Sequence, residues 1–290
     1  KFKISLLICG SEPIGRLNCR VISWIPDFQH IDLKFNFSII HRLYRSAKMK
    51  LQICFSDSII VSSEHAKSRL TAMIGKPLLD RQQVLVWRFR VDVGIGQVIP
   101  NPKILSKNYG LDAGSFILCP MQLTAHKNHL DVLLAYSKCT PEFRQDVKLV
   151  FTGGGYVKSN SIFRRLFFEV QAKELVNDIY FLGKVDELEL HSLMKYCLAI
   201  ISASSYEGWN TVIEEARCLQ VKNLIVSSIP LHLEQLKGTT ALFFPLGDIS
   251  KLSKLISSLH NTNFSQEVDY STLKSTAEAE LKNFILSYLV

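Results

Sequence analysis

Two glutamates, Glu207 and Glu215, lie eight positions apart in the stretch EGWNTVIEE. A helix that begins within Gly208 to Thr211 would direct free backbone N–H groups and the positive end of its dipole at an anion. Eight residues at helical rise span about 12 Å, roughly the separation of sugar and ribose across a diphosphate. Each carboxylate could then accept hydrogen bonds from hydroxyls at one end of a sugar nucleotide. Spacing alone leaves open the alternative that these are first-turn acids that stabilise a helix.

The second half of the chain alternates short apolar runs with helical patterns. The predicted strands are 116–120, 148–153, 179–183, 198–204, 224–228 and 241–245, and the predicted helices lie near 128–138, 161–176, 186–196 and 210–219. Continuous apolar strands separated by helices are typical of a parallel sheet that is covered on both faces. We therefore predict a doubly wound α/β domain, in which ligands bind beyond the carboxyl ends of the strands.

The first hundred residues show a sparser version of the same pattern. Strands are predicted at 3–9, 20–24, 58–62 and 84–89, and helices near 37–53 and 64–73. The chain opens at Lys1 without Met and a strand begins almost at once, so we expect the first domain to be incomplete. The predicted domains are residues 1–98 on the acceptor side, 99–265 for the nucleotide sugar, and a helix in 266–290 that packs back across the domain joint. Residues 91–103, rich in Gly and Pro, are the candidate linker.

Composition limits the class of protein. A chain of 290 residues is long enough for two domains, and 47% hydrophobic with 21% charged residues is a globular balance without a membrane-spanning run. The seven cysteines are scattered and include no CxxC pair, which disfavours both a disulfide framework and a zinc site. These features predict a cytoplasmic protein.

Positive charge is concentrated at the start of the chain. Residues 1–100 hold 15 Lys/Arg and 7 Asp/Glu, whereas residues 101–290 hold 19 of each. A basic domain suits an anionic partner, such as a phospholipid surface or a lipid-phosphate acceptor, although a merely solvated basic face stays open as the alternative. We expect peripheral attachment to the cytoplasmic membrane face and, without a recognisable binding motif, no nucleic acid.

The stretch from Glu207 to Glu215 resembles the paired-glutamate signature of group 1 (family 4) retaining glycosyltransferases of the GT-B type. Further matches follow in the family's order: CPMQLTAHKNH (119–129), VFTGGG (150–155), IYFLGKVDELELHSLM (179–194) and SSIPLHLEQ (227–235). Together they cover about residues 20 to 260. The resemblance implies two Rossmann-like doubly wound domains and a mannosyltransferase-like enzyme.

The resemblance also implies a role for each matching residue. Glu207 would hold hydroxyls of the donor sugar, Glu215 the ribose diol, and Lys127 would neutralise the departing phosphate. The other donor-binding candidates are Gly208, Trp209, Asn210, Thr211, His126, Gln122, Gly153 and Gly154. The amides of Gly208, Trp209 and Asn210 would bind the diphosphate. Gln122 stands where many relatives carry an arginine, which reduces the positive charge expected there. No metal or other cofactor is implied.

The first half contributes two further catalytic candidates. VISWIPDFQHIDL (21–33) resembles the segment that many relatives place between the donor sugar and the acceptor. Its ionisable residues Asp27 and His30 could orient a donor or acceptor hydroxyl. Pro26 and Asp27 also make a good turn, so a purely structural role stays open.

These features predict an enzyme that moves a hexose from a GDP- or UDP-linked sugar to a glycan or lipid-linked acceptor with retention of configuration, as in polysaccharide biosynthesis. A nucleotide-sugar epimerase of the same fold and a non-catalytic sugar-nucleotide-binding scaffold are the alternatives. GxGxxG, GxxxxGK[ST], HExxH and GxSxG motifs do not occur in the sequence.

Overall fold

A computed structural model describes residues 4–10, 15–75, 82–93, 101–259, 262–265 and 268–289. The chain forms two compact units. Unit 1 comprises Lys1–Arg90, Tyr206–Asn210 and Ser271–Val290, and unit 2 comprises Val91–Ser205 and Thr211–Tyr270. The predicted boundary at residue 98, with most of the candidate linker, lies outside the described residues.

Unit 1 is built on a four-stranded parallel sheet in the order β1-β2-β3-β4. Its strands are β1 (Leu6–Cys9), β2 (Arg20–Ile25), β3 (Ser58–Val61) and β4 (Gln83–Val86). Its helices are α1 (Gln29–Asp32), α2 (Ile39–Cys54) and α3 (Glu64–Ile74), with a 3-10 turn at Lys34–Asn36. The core includes Phe28, Ile53 and Leu70, all fully buried.

Serine caps set where the two longer helices of unit 1 begin. Ser38 Oγ accepts a hydrogen bond from the backbone N–H of His41 at 3.3 Å, and Ser63 Oγ accepts one from Ala66 at 3.1 Å. Each bond satisfies a backbone donor that the first helical turn leaves without a partner. The two caps fall within two residues of the predicted helix starts, because capping is a local signal.

Unit 2 contains a six-stranded parallel sheet in the order β10-β9-β8-β5-β6-β7. Its strands are β5 (Phe116–Pro120), β6 (Lys148–Thr152), β7 (Ile179–Gly183), β8 (Ala199–Ser202), β9 (Leu224–Ser227) and β10 (Leu242–Phe244). Its helices are α4 (Lys103–Tyr109), α5 (His129–Tyr136), α6 (Pro141–Asp146), α7 (Ser161–Ala172), α8 (Glu187–Tyr196), α9 (Thr211–Cys218), α10 (Pro230–Gln235) and α11 (Ile249–Ser257). Apolar clusters cover both faces of the sheet, as its continuous apolar strands require.

The last helix, α12 (Tyr270–Leu286), begins at the end of unit 2, and its residues from Ser271 onward belong to unit 1. Within unit 1, the indole N–H of Trp87 donates to the carbonyl of Ala277 on this helix at 2.9 Å. None of the described helices has both the length and the apolar content needed to cross a bilayer.

The predicted α/β class with parallel sheets is confirmed in both units, and the strand runs fall close to their predicted positions. Several short helices were missed, namely α1, α4, α6, α10 and α11. Two of them, α6 and α10, carry Pro in their first turn. Proline is compatible with that position but resembles a break when only the sequence is considered.

Candidate active site

The strand order of unit 2 creates a switch point between β5 and β8. The chain runs from β5 outward through β6 to β7 and then returns to the other side of β5 with β8. In open parallel sheets, ligands bind in the crevice beyond the carboxyl ends of strands at such a point. The loop after β5 carries Gln122, His126 and Lys127, and the loop after β8 runs into Glu207. The structure therefore brings the most informative predicted loops to one edge of the sheet.

Hydrogen bonds join these two loops within unit 2. The carbonyl of His126 accepts the backbone N–H of Ser205 at 2.7 Å and its hydroxyl at 3.2 Å. The position of the turn that bears Lys127 is therefore tied to the end of β8. This pairing links residues almost eighty positions apart, so it could not be predicted from local sequence.

Lys127 ends a 3-10 turn, Ala125–Lys127, and is half-buried. The next residue, Asn128, has a left-handed φ of 55° and its side-chain amide donates to Asp131 at 2.6 Å. Asparagine tolerates this conformation better than most residues do. The sharp bend lets the chain pass directly from the lysine into α5.

The two histidines beside Lys127 differ in their surroundings. His126 is half-buried, with Nδ1 3.4 Å from Thr124 Oγ1. His129 is buried, and its Nε2 lies 3.3 Å from the carbonyl of Met121. Burial lowers the pKa of His129 to about 4, so this imidazole is neutral at pH 7 and adds no positive charge for a phosphate.

Gly153 and Gly154 follow β6 and pack against the loop after β5. Gly153 has a φ of 128°, and a Cβ there would lie 2.7 Å from the carbonyl oxygen of Met121. The carbonyl of Gly154 accepts the backbone N–H of Leu123 at 2.8 Å. Gly153 is therefore required for close backbone approach, and a contact between these glycines and a donor stays a prediction.

The helix of the paired-glutamate signature begins within the range that the sequence predicted. α9 starts at Thr211, the last residue of the predicted range, so Glu207 to Asn210 precede the helix. Helical rise between Glu207 and Glu215 therefore applies only from Thr211 onward, and their separation of about 12 Å stays a prediction. Helix propensity sets the starting turn only to within a few residues.

Residues Tyr206–Asn210, although they follow a strand of unit 2, belong to unit 1. The side chain of Trp209 is 8% exposed, and its indole N–H donates to the carbonyl of Phe89 at 3.0 Å. The hydroxyl of Tyr206 accepts the backbone N–H of Phe28 at 2.7 Å. These side chains anchor the segment inside unit 1, which leaves backbone groups as the part of Trp209 that could meet a ligand.

Gly208 lies directly against the predicted acceptor-side segment of unit 1. A Cβ at this position would collide with the carbonyl oxygen of Pro26 and would come within 2.9 Å of the Cβ of Asp27. Only glycine fits here without a shift of one of the two chains. The structure therefore brings together Asp27 and the segment of Glu207, which the sequence connected only through the family resemblance.

Asp27 and His30 occupy different environments in unit 1. Asp27 accepts the backbone N–H of Gln29 at 3.0 Å and lies 3.6 Å from the guanidinium of Arg45, so it forms the expected turn while staying partly exposed. His30 is 1% exposed, with Nε2 3.1 Å from Ser46 Oγ. Burial, assisted by the charge of Arg45, lowers the pKa of His30. This placement favours a packing role for His30 over contact with an acceptor.

The two glutamates of α9 differ in their partners within unit 2. Glu214 is fully buried and accepts hydrogen bonds from Gln235 at 2.7 Å and from the Tyr270 hydroxyl at 3.0 Å. Glu215 is half-buried, and burial, followed by the charge of Glu187, raises its pKa to about 7. Glu214 thus stabilises the fold, whereas Glu215 is an incompletely solvated carboxyl that binding could ionise.

A cavity of about 260 Å³ lies within unit 1, beside the end of β2. It is lined by Ile25, Pro26, His41, Tyr44, Arg45, Lys48, Met49 and Gln52. Three of these side chains are basic or can become so, and Pro26 is also the residue that Gly208 contacts. No sequence pattern singles out His41, Arg45 or Lys48, because their convergence on β2 is a property of the fold.

Among the residues that the structure describes, no group of three or more His, Cys, Asp or Glu side chains could hold a metal ion. The prediction that the reaction needs no metal stays a prediction.

The family description "Glycosyl transferases group 1" matches residues 104–272, more than half of the chain. The chain belongs to glycosyl transferases group 1. The matched range includes Lys127, Gly153, Glu207 and Glu215, and it begins after the described strands of unit 1.

Solved structures of glycosyltransferases are similar to this chain in fold. HepE from Anabaena, in complex with UDP and glucose, has a TM-score of 0.69 at 15% identity over 91% of this chain and 72% of its own. Sucrose-phosphate synthase from Thermosynechococcus elongatus has a TM-score of 0.68 at 17% identity, over 91% of this chain and 62% of its own. An E. coli trehalose-6-phosphate structure with UDP-2-fluoro glucose has a TM-score of 0.62 at 15% identity, over 94% and 65%. No curated protein sequence matches the chain.

The predicted GT-B fold with two Rossmann-like units is confirmed by these similarities. The predicted enzyme class, a hexosyltransferase of group 1, is confirmed at the level of the family. The sugar, the base, the stereochemistry and the acceptor are finer predictions.

Proposed function

We propose that the chain transfers a hexosyl group from a nucleoside-diphosphate sugar to a glycan or lipid-linked acceptor, with retention of configuration. The observation that carries the proposal is the junction of the two loops at the β5/β8 switch point, through His126 and Ser205. Lys127 lies in one of these loops, at the sheet edge where this class of fold binds ligands. Membership of group 1 supports the same reaction.

In the proposed reaction, the bond between the sugar C1 and the diphosphate oxygen breaks as the acceptor hydroxyl attacks C1 on the same face. Lys127 meets the charge that develops on the leaving diphosphate, and the leaving phosphate oxygen takes the acceptor proton. Glu207 holds sugar hydroxyls and Glu215 accepts hydrogen bonds from the ribose diol. His126, Gln122, Gly154 and the amides of Gly208 to Thr211 complete the proposed donor contacts.

The donor base is proposed from the relatives. HepE and the E. coli trehalose-6-phosphate structure contain UDP or a UDP sugar, so a UDP-linked hexose is the first donor to test. GDP-mannose is the competing donor, following the mannosyltransferase-like sequence pattern. A thermal-shift series with UDP, GDP and their sugars separates the two, because a ligand that binds the folded state raises the melting temperature.

For the acceptor, we propose an anionic group held in the cavity of unit 1. The cavity combines His41, Arg45 and Lys48 with a position next to Asp27. Such a basic lining suits a phosphate on a lipid-linked or soluble glycan acceptor. The overall charge excess of the first hundred residues is consistent with peripheral attachment to an anionic membrane surface.

The test measures transfer of a labelled sugar by the full chain, with and without a phosphate-bearing acceptor, and identifies the product. We expect Lys127→Ala to lower turnover by about 100-fold to 1,000-fold, the usual loss for a missing charge stabiliser. Glu207→Gln should also lower turnover, because a neutral amide holds the sugar hydroxyls less strongly than a carboxylate does. Glu280→Gln and Lys173→Ala, at exposed positions, are the matched controls and should retain full activity.

Three results would refute this proposal. Unchanged turnover in both site variants would remove their assigned roles. An epimerised donor without transfer would identify the chain as an epimerase. Nucleotide binding without turnover, across a panel of donors and acceptors, would identify a scaffold.

A further inference from the structure

Helix α2 of unit 1 presents an apolar stripe to solvent as well as an apolar side to the core. Ile53 is buried and Met49 packs against the core cluster. On the outer side, Ile40 is 81% exposed and Leu43 is 66% exposed. The other large exposed side chains of this stripe are Ile39, Tyr44 and Leu51. At about 100° per residue, the five side chains occupy an arc of about 140°. We call these five residues the outer stripe.

Positive charge accompanies the outer stripe. Residues 33–56 contain five Lys or Arg and no Asp or Glu. On the same helical projection, Lys50 lies within the arc near one edge and Lys48 lies just beyond the other edge. Lysines in such positions can lay their aliphatic stems along apolar surface while their ammonium groups stay in water. The stripe is therefore apolar, with a lysine near each of its two edges.

Neither the core nor the donor site accounts for the outer stripe. It lies outside residues 104–272, the range that the family description matches. Contiguous exposed apolar surface is uncommon in soluble proteins and marks an interaction site. A helix with an exposed apolar side and lysines at its edges has the character of helices that lie in a membrane interface.

A second copy of the chain fits the outer stripe less well than a lipid surface does. A two-fold symmetric contact pairs the same patch on both molecules. Such a contact would bring Lys48 and Lys50 of one molecule near those of the other, and residues 33–56 contain no Asp or Glu to compensate. Anionic lipid headgroups provide the opposite charge, and the acyl boundary provides the apolar environment.

We propose that the outer stripe of α2 docks on an anionic lipid bilayer, with Ile39, Ile40, Leu43, Tyr44 and Leu51 at the acyl boundary and Lys50 among the headgroups. The inference rests on the proposed function in one respect, because the lipid-linked acceptor of that function is what would reach the basic cavity from the docked membrane. Tyr44, which belongs to the stripe, and Lys48, which lies next to it, both line that cavity. Docking would therefore bring the cavity close to the headgroup layer.

The experiment measures flotation of the full chain with phosphatidylcholine vesicles that contain about 30% of a singly charged anionic lipid. Ile40→Ser/Leu43→Ser should lower the partition coefficient at least about tenfold, because two apolar side chains no longer enter the interface. Lys50→Gln should lower it about fivefold. Pure phosphatidylcholine vesicles should bind the chain much more weakly, because they lack anionic headgroups. Anionic vesicles in about 0.5 M salt should also bind it much more weakly, because the salt screens the attraction between lysines and headgroups.

A matched control uses exposed aromatic residues of unit 2. Phe167 and Phe168 on α7 are also exposed, so Phe167→Ser/Phe168→Ser removes comparable apolar surface elsewhere and should leave flotation unchanged. Because Ile40 and Leu43 are mostly exposed, their replacement should not change the melting temperature. A variant that stays folded but loses flotation supports the docking surface.

The outcomes separate this inference from the proposed function. Equal flotation of the wild type and the α2 double variant would overturn the inference, and so would a dimer in solution that the double variant dissociates. Sugar transfer to a soluble acceptor without vesicle binding would overturn the inference alone. Vesicle binding through α2 without sugar transfer to any acceptor would overturn the proposed function and leave the docking surface standing.

Discussion

The raised pKa of Glu215 makes unit 2 less stable as the pH rises through neutrality. The folded pKa is about 7, against an ordinary value of 4.5, so between pH 6 and 8 the unfolded chain carries the ionised form throughout. In the folded state, the ionised fraction rises from about one tenth to about nine tenths over the same range. Stability is thus present at low pH and lost as the pH passes 7. Between pH 6 and 8 the stability lost through this linkage amounts to about 1.4 kcal/mol, and to about 1 kcal/mol after allowance for solvent screening of this half-buried group.

The substitution Glu215→Gln removes the ionisation while it preserves the size of the side chain. We expect the wild type to lose this contribution between pH 6 and 8 and the variant to show no such loss, so that the advantage of the variant in free energy of unfolding grows by about 1 kcal/mol across that range. Denaturant unfolding followed by far-ultraviolet circular dichroism measures the difference. The substitution Glu187→Gln is a second check, because removal of the neighbouring negative charge lowers the pKa of Glu215 and should move the loss of stability to lower pH values.

The same group should make donor binding depend on pH. If Glu215 accepts hydrogen bonds from the ribose diol, the bound state favours the ionised carboxylate. The affinity for UDP-glucose should then weaken about tenfold from pH 8 to pH 6. A sugar nucleotide suits this titration calorimetry because its diphosphate has no second ionisation near neutral pH. Glu215→Gln should bind with an affinity that varies much less with pH.

Parallel pH profiles of stability in the wild type and Glu215→Gln would refute the assignment of a raised pKa to this carboxyl. If the stability difference between the two proteins changes with pH but the affinity for UDP-glucose does not, the raised pKa of Glu215 stands and its proposed contact with ribose is refuted.

Three further substitutions test the backbone contacts and the phosphate charge. Gly208→Ala should lower transfer at least about tenfold, because its Cβ collides with Pro26 and must displace the segment of Glu207. Gly153→Ala should lower the free energy of unfolding by about 1–3 kcal/mol in denaturant melts, since φ is 128° and the Cβ would lie 2.7 Å from the Met121 carbonyl. Lys127→Ala should weaken product-nucleotide binding about fivefold to 150-fold in calorimetry, with a smaller effect on a nucleoside that lacks phosphates.

Gly15 supplies the control for both glycine substitutions. A Cβ at Gly15 would meet nothing within 4 Å, so Gly15→Ala should leave both transfer and stability unchanged. Full activity in Gly208→Ala, or unchanged stability in Gly153→Ala, would show that the neighbouring backbone moves aside at little cost. Equal losses for nucleotide and nucleoside in Lys127→Ala would remove its role at the phosphate.

Local sequence patterns determined most of the secondary structure. The apolar runs at 116–120 and 179–183 are strands with those same bounds, because short continuous apolar runs between turn residues are typical of strands in a covered parallel sheet. The helix near 64–73 is also found, as Glu64–Ile74, because Ser63 supplies a local cap. The spacing of Glu207 and Glu215 suggested a sugar-nucleotide site but left a purely structural role open, and the family resemblance favoured the site and added Lys127.

Tertiary structure decided which of these parts meet. The order β10-β9-β8-β5-β6-β7 depends on contacts distant in sequence, and it alone creates the switch point beside Lys127. The contact of Gly208 with Pro26 and the burial that raises the pKa of Glu215 likewise depend on the packing of segments that are distant in sequence. Periodicity and capping are local properties and can be read along the chain, whereas burial, register and close approach exist only after the chain has folded.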